Sequence, residues 1–286
     1  MHNSGKLFLV ATPIGNLGDI SKRAAETLAM VDFIAAEDTR VSLKILNHLK
    51  IEKPLISYYA HNSSKSGEKI AQKILHGETC ALVSDAGHPG ISDPGEALVS
   101  LCAELGIDIT VIPGPCAAVS ALAISGLPAG RFTFEGFLST ARKSRFAHLD
   151  QLKYEKRTMV FFEAPHKLQR TLKDMYDVLG ERKVSISREL TKIYEETLRL
   201  NLSEAVTHFE KHKPRGEFVL IVDGNPDAAP HTDSIITIED AVAIAMQYAK
   251  SGLSVKDSAK TASNNTGLSR NLIYKALLQT NKENSE

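Results

Sequence analysis

The chain has 286 residues, 43% of them hydrophobic and 24% charged, with 34 basic and 34 acidic side chains. This is the composition of an ordinary globular protein, long for a single core, and its net charge of zero singles out no partner. Three widely spaced cysteines (Cys80, Cys102, Cys116) without a CxxC or Cys/His cluster exclude a disulfide framework and a zinc site.

Lys6–Ala11 (KLFLVA) predicts a short strand, ending in the turn cluster Thr12-Pro13-Ile14-Gly15-Asn16-Leu17-Gly18-Asp19. No signal peptide precedes it and no apolar run anywhere reaches 18 residues, so a reduced, cytoplasmic protein without a membrane partner is expected. Ile20, Ala24, Thr27, Leu28 and Val31 recur at helical spacing. Phe33–Ala36 is a second strand, running into Glu37-Asp38-Thr39-Arg40 and a helix to about Leu49. Pro54–Ala60 is read as a third strand, ending at His61-Asn62, with a helix over about Ser66–His76. Cys80–Val83 is a fourth strand. It breaks into Ser84–Gly95 (SDAGHPGISDPG), a loop with three glycines, two prolines and two aspartates, far more elaborate than a plain connection requires. Pro94 is expected at the first position of a helix to Leu105. Asp108–Ile112 is a fifth strand, followed by Pro113-Gly114-Pro115-Cys116 and the small-residue helix Ala117–Ser125.

Five strands alternating with helices predict an α/β domain with a largely parallel sheet over residues 1–126. Ligands of such sheets collect at the carboxyl ends of the strands, where four loop clusters converge here. Neither a G-x-G-x-x-G nor a G-x-x-x-x-G-K-[ST] pattern occurs, so dinucleotide and nucleoside triphosphate cradles are unsupported.

Gly126-Leu127-Pro128 marks the expected boundary to a second α/β domain, 127–225. Its strands are read at Phe132–Phe137, Thr158–Phe162, Lys183–Ser187, Thr197–Leu200 and Phe218–Val222. Its helices are read at about Ser139–Tyr154, His166–Leu179 and Ser203–Lys211. Adjacent strands without intervening helices predict a mixed sheet. A polar Pro/Gly-bearing stretch, Asp223–Asp233, opens the linker (226–236) to a C-terminal helical domain, 237–286. Helices at Ile238–Ala249, Ser254–Ala262 and Leu268–Leu278 give the last two helix-turn-helix proportions across Gly267, with Ser269 as an N-cap and a disordered tail from Asn281. Five basic residues (Lys256, Lys260, Arg270, Lys275, Lys282) face one acid, Asp257, over 254–282, which fits nucleic acid or a packing module. Residues 142–192 hold 13 basic and 7 acidic side chains, with Arg142, Lys143 and Arg145 clustered, either a face for a polyanion or solvated helix surface.

Seven motifs stand in order: Thr12–Asn16 (TPIGN), Ala36–Arg40 (AEDTR), Ser84–Gly87 with Asp93–Gly95, Pro113–Ala117 (PGPCA), Phe162–His166 (FEAPH), Ser187–Lys192 (SRELTK) and Arg215–Glu217 (RGE). This arrangement resembles the tetrapyrrole methylase superfamily, and most closely its branch that 2′-O-methylates a cytidine in the decoding centre of 16S rRNA. The resemblance spans about residues 6–225 and the helical tail. It implies two α/β domains with S-adenosylmethionine in the cleft between them, and a homodimer acting on 16S rRNA in the small ribosomal subunit, without a metal. The implied cofactor contacts are Pro13, Ser84, Asp85, Ala86, Gly87, Ile91, Cys116 and Ala117, with Phe162, Leu190 and Gly216 reaching from the second domain. His88 stands where relatives usually have Thr, Lys167 where Arg is frequent, and Ser63 where many have an acid.

Methylation of a ribose hydroxyl requires in-line alignment at about 3 Å and a proton acceptor. Glu37 and Asp38 are expected to position substrate or take the proton, with Asp85 and Glu163 as the next candidates. Arg40, Arg188 and Lys192 are expected to hold phosphate, and Arg142, Lys143, Arg145, His61, Asn62 and His166 to face RNA. Each has an ordinary structural alternative. Glu37-Asp38 suit a helix N-terminus, His166 a helix start, Phe161 the core, and Lys192 a surface pair with Glu195 or Glu196. The rival functions are a C-methyltransferase of a corrin or porphyrin precursor and a non-catalytic RNA-binding protein.

Overall fold

A computed structural model describes residues 5–225, 238–250, 253–266 and 268–283. The expected linker at 226–236 and Gly267 lie outside the described residues. The chain divides into two compact units after Pro226.

In the first unit, β1 (Lys6–Val10), β2 (Phe33–Ala36), β3 (Leu55–Ser57), β4 (Cys80–Val83) and β5 (Asp108–Ile112) form a sheet of order β3-β2-β4-β1-β5. Every pairing in it is parallel. Its helices are α1 (Lys22–Met30), α2 (Thr39–Leu49), α3 (Ser63–Leu75), α4 (Gly95–Glu104) and α5 (Ala117–Ile124). Strand alternation divides two cores. Leu7, Leu9, Phe33, Ala35, Cys80 and Leu82 pack with Ile70, Ile74 and Leu98 of α3 and α4. Val10, Ile34, Ala36, Ala81 and Val83 pack with Ala24, Leu28 and Leu46 of α1 and α2. Burial on both faces explains why these strands read as continuous apolar runs.

The second sheet has order β6-β7-β10-β8-β9, from β6 (Phe132–Phe137), β7 (Thr158–Glu163), β8 (Lys183–Arg188), β9 (Glu196–Asn201) and β10 (Phe218–Val222). Only β6 with β7 is parallel; the other pairings are antiparallel, the expected mixed sheet. One face is covered by α6 (Arg142–Gln151), α7 (Pro165–Leu179) and α8 (Leu202–Lys211) around Met159, Phe161, Leu172 and Leu220. Phe161 is a core residue. The other face, with Val160, Val219 and Ile221, packs on Ala118, Ala121 and Leu122 of α5 and on Ile14 and Leu190. Thus α5, contributed by the first half, joins the two sheets.

Three readings change. The third strand is only Leu55–Ser57, because Asn62 closes a turn behind it: its Oδ1 accepts the Tyr59 N–H (2.8 Å) and its Nδ2 donates to Ser57 O (3.0 Å). α3 accordingly starts at Ser63. Pro94 takes the N-cap position, not the first helical one, and Asp93 supplies the capping carboxylate to Gly95 N–H (2.7 Å) and Gly90 N–H (2.9 Å).

In the second unit, α9 (Ile238–Lys250), α10 (Val255–Thr266) and α11 (Arg270–Glu283) enclose Ala241, Ala245, Ala259, Ala262, Ile273 and Leu277. Ser254 caps α10, its Oγ accepting the Asp257 N–H at 3.1 Å. The backbone carbonyl of Ser269 accepts the Ile273 N–H (3.1 Å), which puts Ser269 where the N-cap was expected. Helix takes in the first three residues of the expected tail, to Glu283. Lys256, Lys260, Arg270 and Lys275 are exposed.

Candidate active site

The carboxyl ends of β1, β2 and β4, and the turn after β5, converge as the parallel sheet requires. Thr12 and Gly87 exchange backbone hydrogen bonds (2.8 and 3.1 Å), and the Thr12 hydroxyl donates to Ser84 O (3.2 Å). Gly87 has φ +82°, and a Cβ there would lie 3.3 Å from Ile14 Cγ2 and 3.6 Å from Pro115 O. Three loops therefore meet where only glycine fits.

These loops and the facing sheet enclose a cavity of about 540 Å³. Nine of the eleven expected cofactor contacts line it: Ser84, Asp85, Ala86, Gly87, Ile91, Cys116, Ala117, Phe162 and Leu190. Pro13 and Gly216 do not. Pro13 is buried behind Ile14, which takes its place in the wall. Gly216 (φ +87°) is a backbone requirement, since a Cβ there would come within 2.5 Å of Glu189 Cγ; its neighbour Glu217 lines the cavity instead.

The four proposed acids separate. Glu37 and Asp85 both line the cavity, and the Asp38 N–H donates to Asp85 Oδ1 (2.9 Å). Burial pushes the Glu37 carboxyl up, and the nearby Asp85 charge adds to it. Burial likewise raises Asp85, aided by the Asp38 charge and opposed by the Asp38 N–H bond. Asp38 is corrected to the N-cap of α2: its carboxylate accepts the Arg40 N–H and grips the Arg40 guanidinium at 2.6 Å, which holds its pKa down to about 2. It does not line the cavity. Glu163 does, but it is 3% exposed with both oxygens engaged, by the Ala164 N–H (2.8 Å) and the Thr171 hydroxyl (2.6 Å). That makes it a fixed acceptor for the start of α7, not a free base.

None of the nine residues expected to face RNA lines the cavity. Arg40, His61, Arg142, Lys143 and His166 are exposed, and Arg188 is half-buried, 3.3 Å from Glu196. Two expectations fail on packing. Arg145 is 2% exposed; its Nε meets Asp174 at 2.7 Å and its Nη1 donates to the Ser139 and Thr140 carbonyls, so it organises the core. Asn62 is used up in closing its turn. Lys192 bridges Glu189 and Glu217, each at 2.9 Å, not the anticipated Glu195 or Glu196. Burial works against the Lys192 charge, but these two carboxylates outweigh it and raise its pKa.

Sequence reading missed Ile14, Phe137, Ser187, Glu217 and Val219 in the wall. Ile14 and Glu217 sit one residue from expected contacts, and Ser187 and Val219 lie inside strands read only as core. Phe137 carried no signal in the strand pattern.

Residues 6–206 match the family described as Tetrapyrrole (Corrin/Porphyrin) Methylases. The chain belongs to the tetrapyrrole methylase family. It is 44% identical to the Ribosomal RNA small subunit methyltransferase I of Synechocystis, over 96% of this chain and 98% of that one. It is 49% identical to the protein of the same name from Thermotoga maritima over 220 residues, 77% of this chain and 99% of the relative. Among solved structures, this methylase superposes on uroporphyrin-III C-methyltransferase from Thermus thermophilus, solved with S-adenosylhomocysteine, at TM-score 0.55 and 16% identity, covering 77% of this chain and 97% of that one.

The methylase is a methyltransferase whose cofactor is S-adenosylmethionine, and the cavity fits that group. Its volume lies within the range of about 300–1,000 Å³ usual for cofactor sites. Its wall combines apolar side chains with five carboxylates (Glu37, Asp85, Asp93, Glu163, Glu217) and has no lysine or arginine. Such a lining suits an adenine and a cationic sulfonium and repels a polyphosphate. Among the described residues no group of side chains is placed to hold a metal ion, and no helix is long and apolar enough to cross a membrane.

Proposed function

We propose that this methylase transfers a methyl group to the 2′-hydroxyl of a cytidine in 16S rRNA of the small ribosomal subunit, acting in the cytoplasm as a homodimer. The observation that carries the reading is the Glu37–Asp85 pair in the wall of a cavity lined by no lysine or arginine. Bound S-adenosylmethionine supplies an electrophilic methyl group. The chain's own task is then to exclude water, align the ribose oxygen and accept its proton. Asp85 suits the last step, since Asp38 N–H occupies one of its oxygens and burial makes its carboxylate more basic than usual. Glu37, raised by its own burial and by the Asp85 charge, is the second acid of the wall able to take up a proton. RNA phosphates are held outside the acidic cavity by exposed Arg40, Arg142 and Lys143, leaving a nucleoside to enter. The printed names of the relatives support the rRNA substrate.

The test is incubation with methyl-labelled S-adenosylmethionine and small subunits lacking the modification, followed by mapping the label. One ribose-labelled cytidine in 16S rRNA is expected. Label on uroporphyrinogen and none on rRNA would replace this reading with C-methylation.

The C-terminal helices are read as an RNA-holding module, on their four exposed basic residues. The first unit has its own cores, and a relative of the same name is matched over 99% of its length by 220 residues of this chain. Truncation after Asn225 is expected to leave cofactor affinity within about two-fold by calorimetry and to lower transfer to small subunits roughly ten-fold, as loss of several phosphate contacts would. Unchanged transfer would remove the helices from substrate binding.

A further inference from the structure

Resting on the rRNA reading, we propose that Phe137 is the stacking platform for the base of the target nucleotide, delivered to the cavity by a β-bulge in the edge strand of the second sheet. In a regular strand Phe134 and Phe137 point to opposite faces, because side chains alternate. Pairing of β6 with β7 skips a residue between Phe134 and Gly136: Phe134 lies opposite Val160, Gly136 opposite Phe161, and Phe137 opposite Phe162. Val160 and Phe162 share the cleft face of β7, so the bulge brings Phe137 onto that face as well. Gly136 absorbs the irregularity at φ +62°. Bulges of this kind re-aim side chains beside active sites.

The outcome is an aromatic cluster around Phe162. Phe134 meets it edge-on at 5.1 Å and Phe137 is tilted against it at 5.5 Å. Phe162 and Phe137 both line the cavity, and Phe137 keeps 55% of its surface open. A packed core leaves no such ring free, and a large apolar side chain kept in solvent at the edge of a cavity points to a planar partner. Enzymes acting on a nucleotide within structured RNA extrude it and stack its base on an aromatic ring. The neighbourhood matches: α6 begins at Arg142, and Arg142 and Lys143 are exposed for the flanking phosphates.

The chain contains no tryptophan, so Phe137→Trp creates a single tryptophan reporter, excited apart from the seven tyrosines, at this position. Its emission is expected to quench on addition of unmodified 16S rRNA or small subunits and to be nearly unchanged by S-adenosylhomocysteine. Phe137→Leu, which keeps apolar volume and loses the ring face, is expected to lower kcat/KM on small subunits about ten-fold with S-adenosylhomocysteine affinity within two-fold. Emission that responds to S-adenosylhomocysteine and not to RNA, an equal loss of cofactor affinity in the leucine variant, or wild-type rates from it would each overturn the proposal. Failure of the rRNA reading is seen separately and first, as absence of label transfer to rRNA by the wild-type protein.

Discussion

Asp85→Asn is expected to reduce methyl transfer by about 10²–10⁴-fold, the usual worth of a positioned general base. The amide keeps an oxygen for the Asp38 N–H, so the loop holds its shape and cofactor affinity changes little. Stability should hold or rise slightly, and the sign follows from the direction of the shift. A carboxyl whose pKa is raised by folding binds protons more tightly in the native state, so it is an ionised liability at neutral pH. The fold gains relative stability as pH falls through the raised value, opposite to a salt-bridged acid. The wild-type rate should drop over that same window, above the ordinary aspartate pKa of about 4, because the base is then protonated. Single-turnover rates against pH, with thermal unfolding of both proteins, check this. A wild-type rate in Asp85→Asn would transfer the role to Glu37, whose Glu37→Gln variant is the parallel experiment.

The second large effect is on stability. Arg145→Met leaves Asp174, 7% exposed, without its partner 2.7 Å away, and orphans the Ser139 and Thr140 carbonyls. Removing one side of a buried pair costs about 3–5 kcal/mol, which for a unit of this size lowers Tm on the order of 10 °C. Adding Asp174→Leu should recover much of the loss, because both charges are then gone. Arg142→Ala, three residues earlier and exposed, should leave Tm within about 1 °C and weaken only transfer to small subunits. Thermal unfolding beside label transfer separates the two: a fully stable Arg145→Met with impaired RNA methylation would return Arg145 to the RNA surface.

The contrast between these two arginines shows what sequence patterning conveys. Periodicity records which faces are apolar, so four of the first five strands, the mixed second sheet and the three C-terminal helices are legible from it. The strand-end loops were legible too, because Gly87 and its prolines announce a backbone with a special task, and nine of the residues expected to contact the cofactor line the cavity they help to build. A cationic side chain, however, has no period. Arg142, Lys143 and Arg145 form one basic run in sequence, and only the turn of α6 and the arrival of Asp174 from α7 divide them into surface and core.

The acids of the site follow the same logic. Four carboxylates at strand ends were candidates, with Glu37 and Asp38 ahead of Asp85 and Glu163, and the partners supplied by distant segments re-ordered them. Arg40 and the α2 N-terminus claim Asp38, Thr171 and the Ala164 N–H claim Glu163, and Glu37 and Asp85 are left facing the cavity. Phe137 marks the limit most sharply. Simple alternation along the strand sets it on the face opposite Phe134, and the bulge that brings both to one face is a property of two paired strands and not of one. By itself the sequence determined the strands, the loops that meet at their ends and the methylase family; the choice among chemically identical side chains was decided by tertiary structure, because burial and hydrogen-bond partners come from segments remote in the chain.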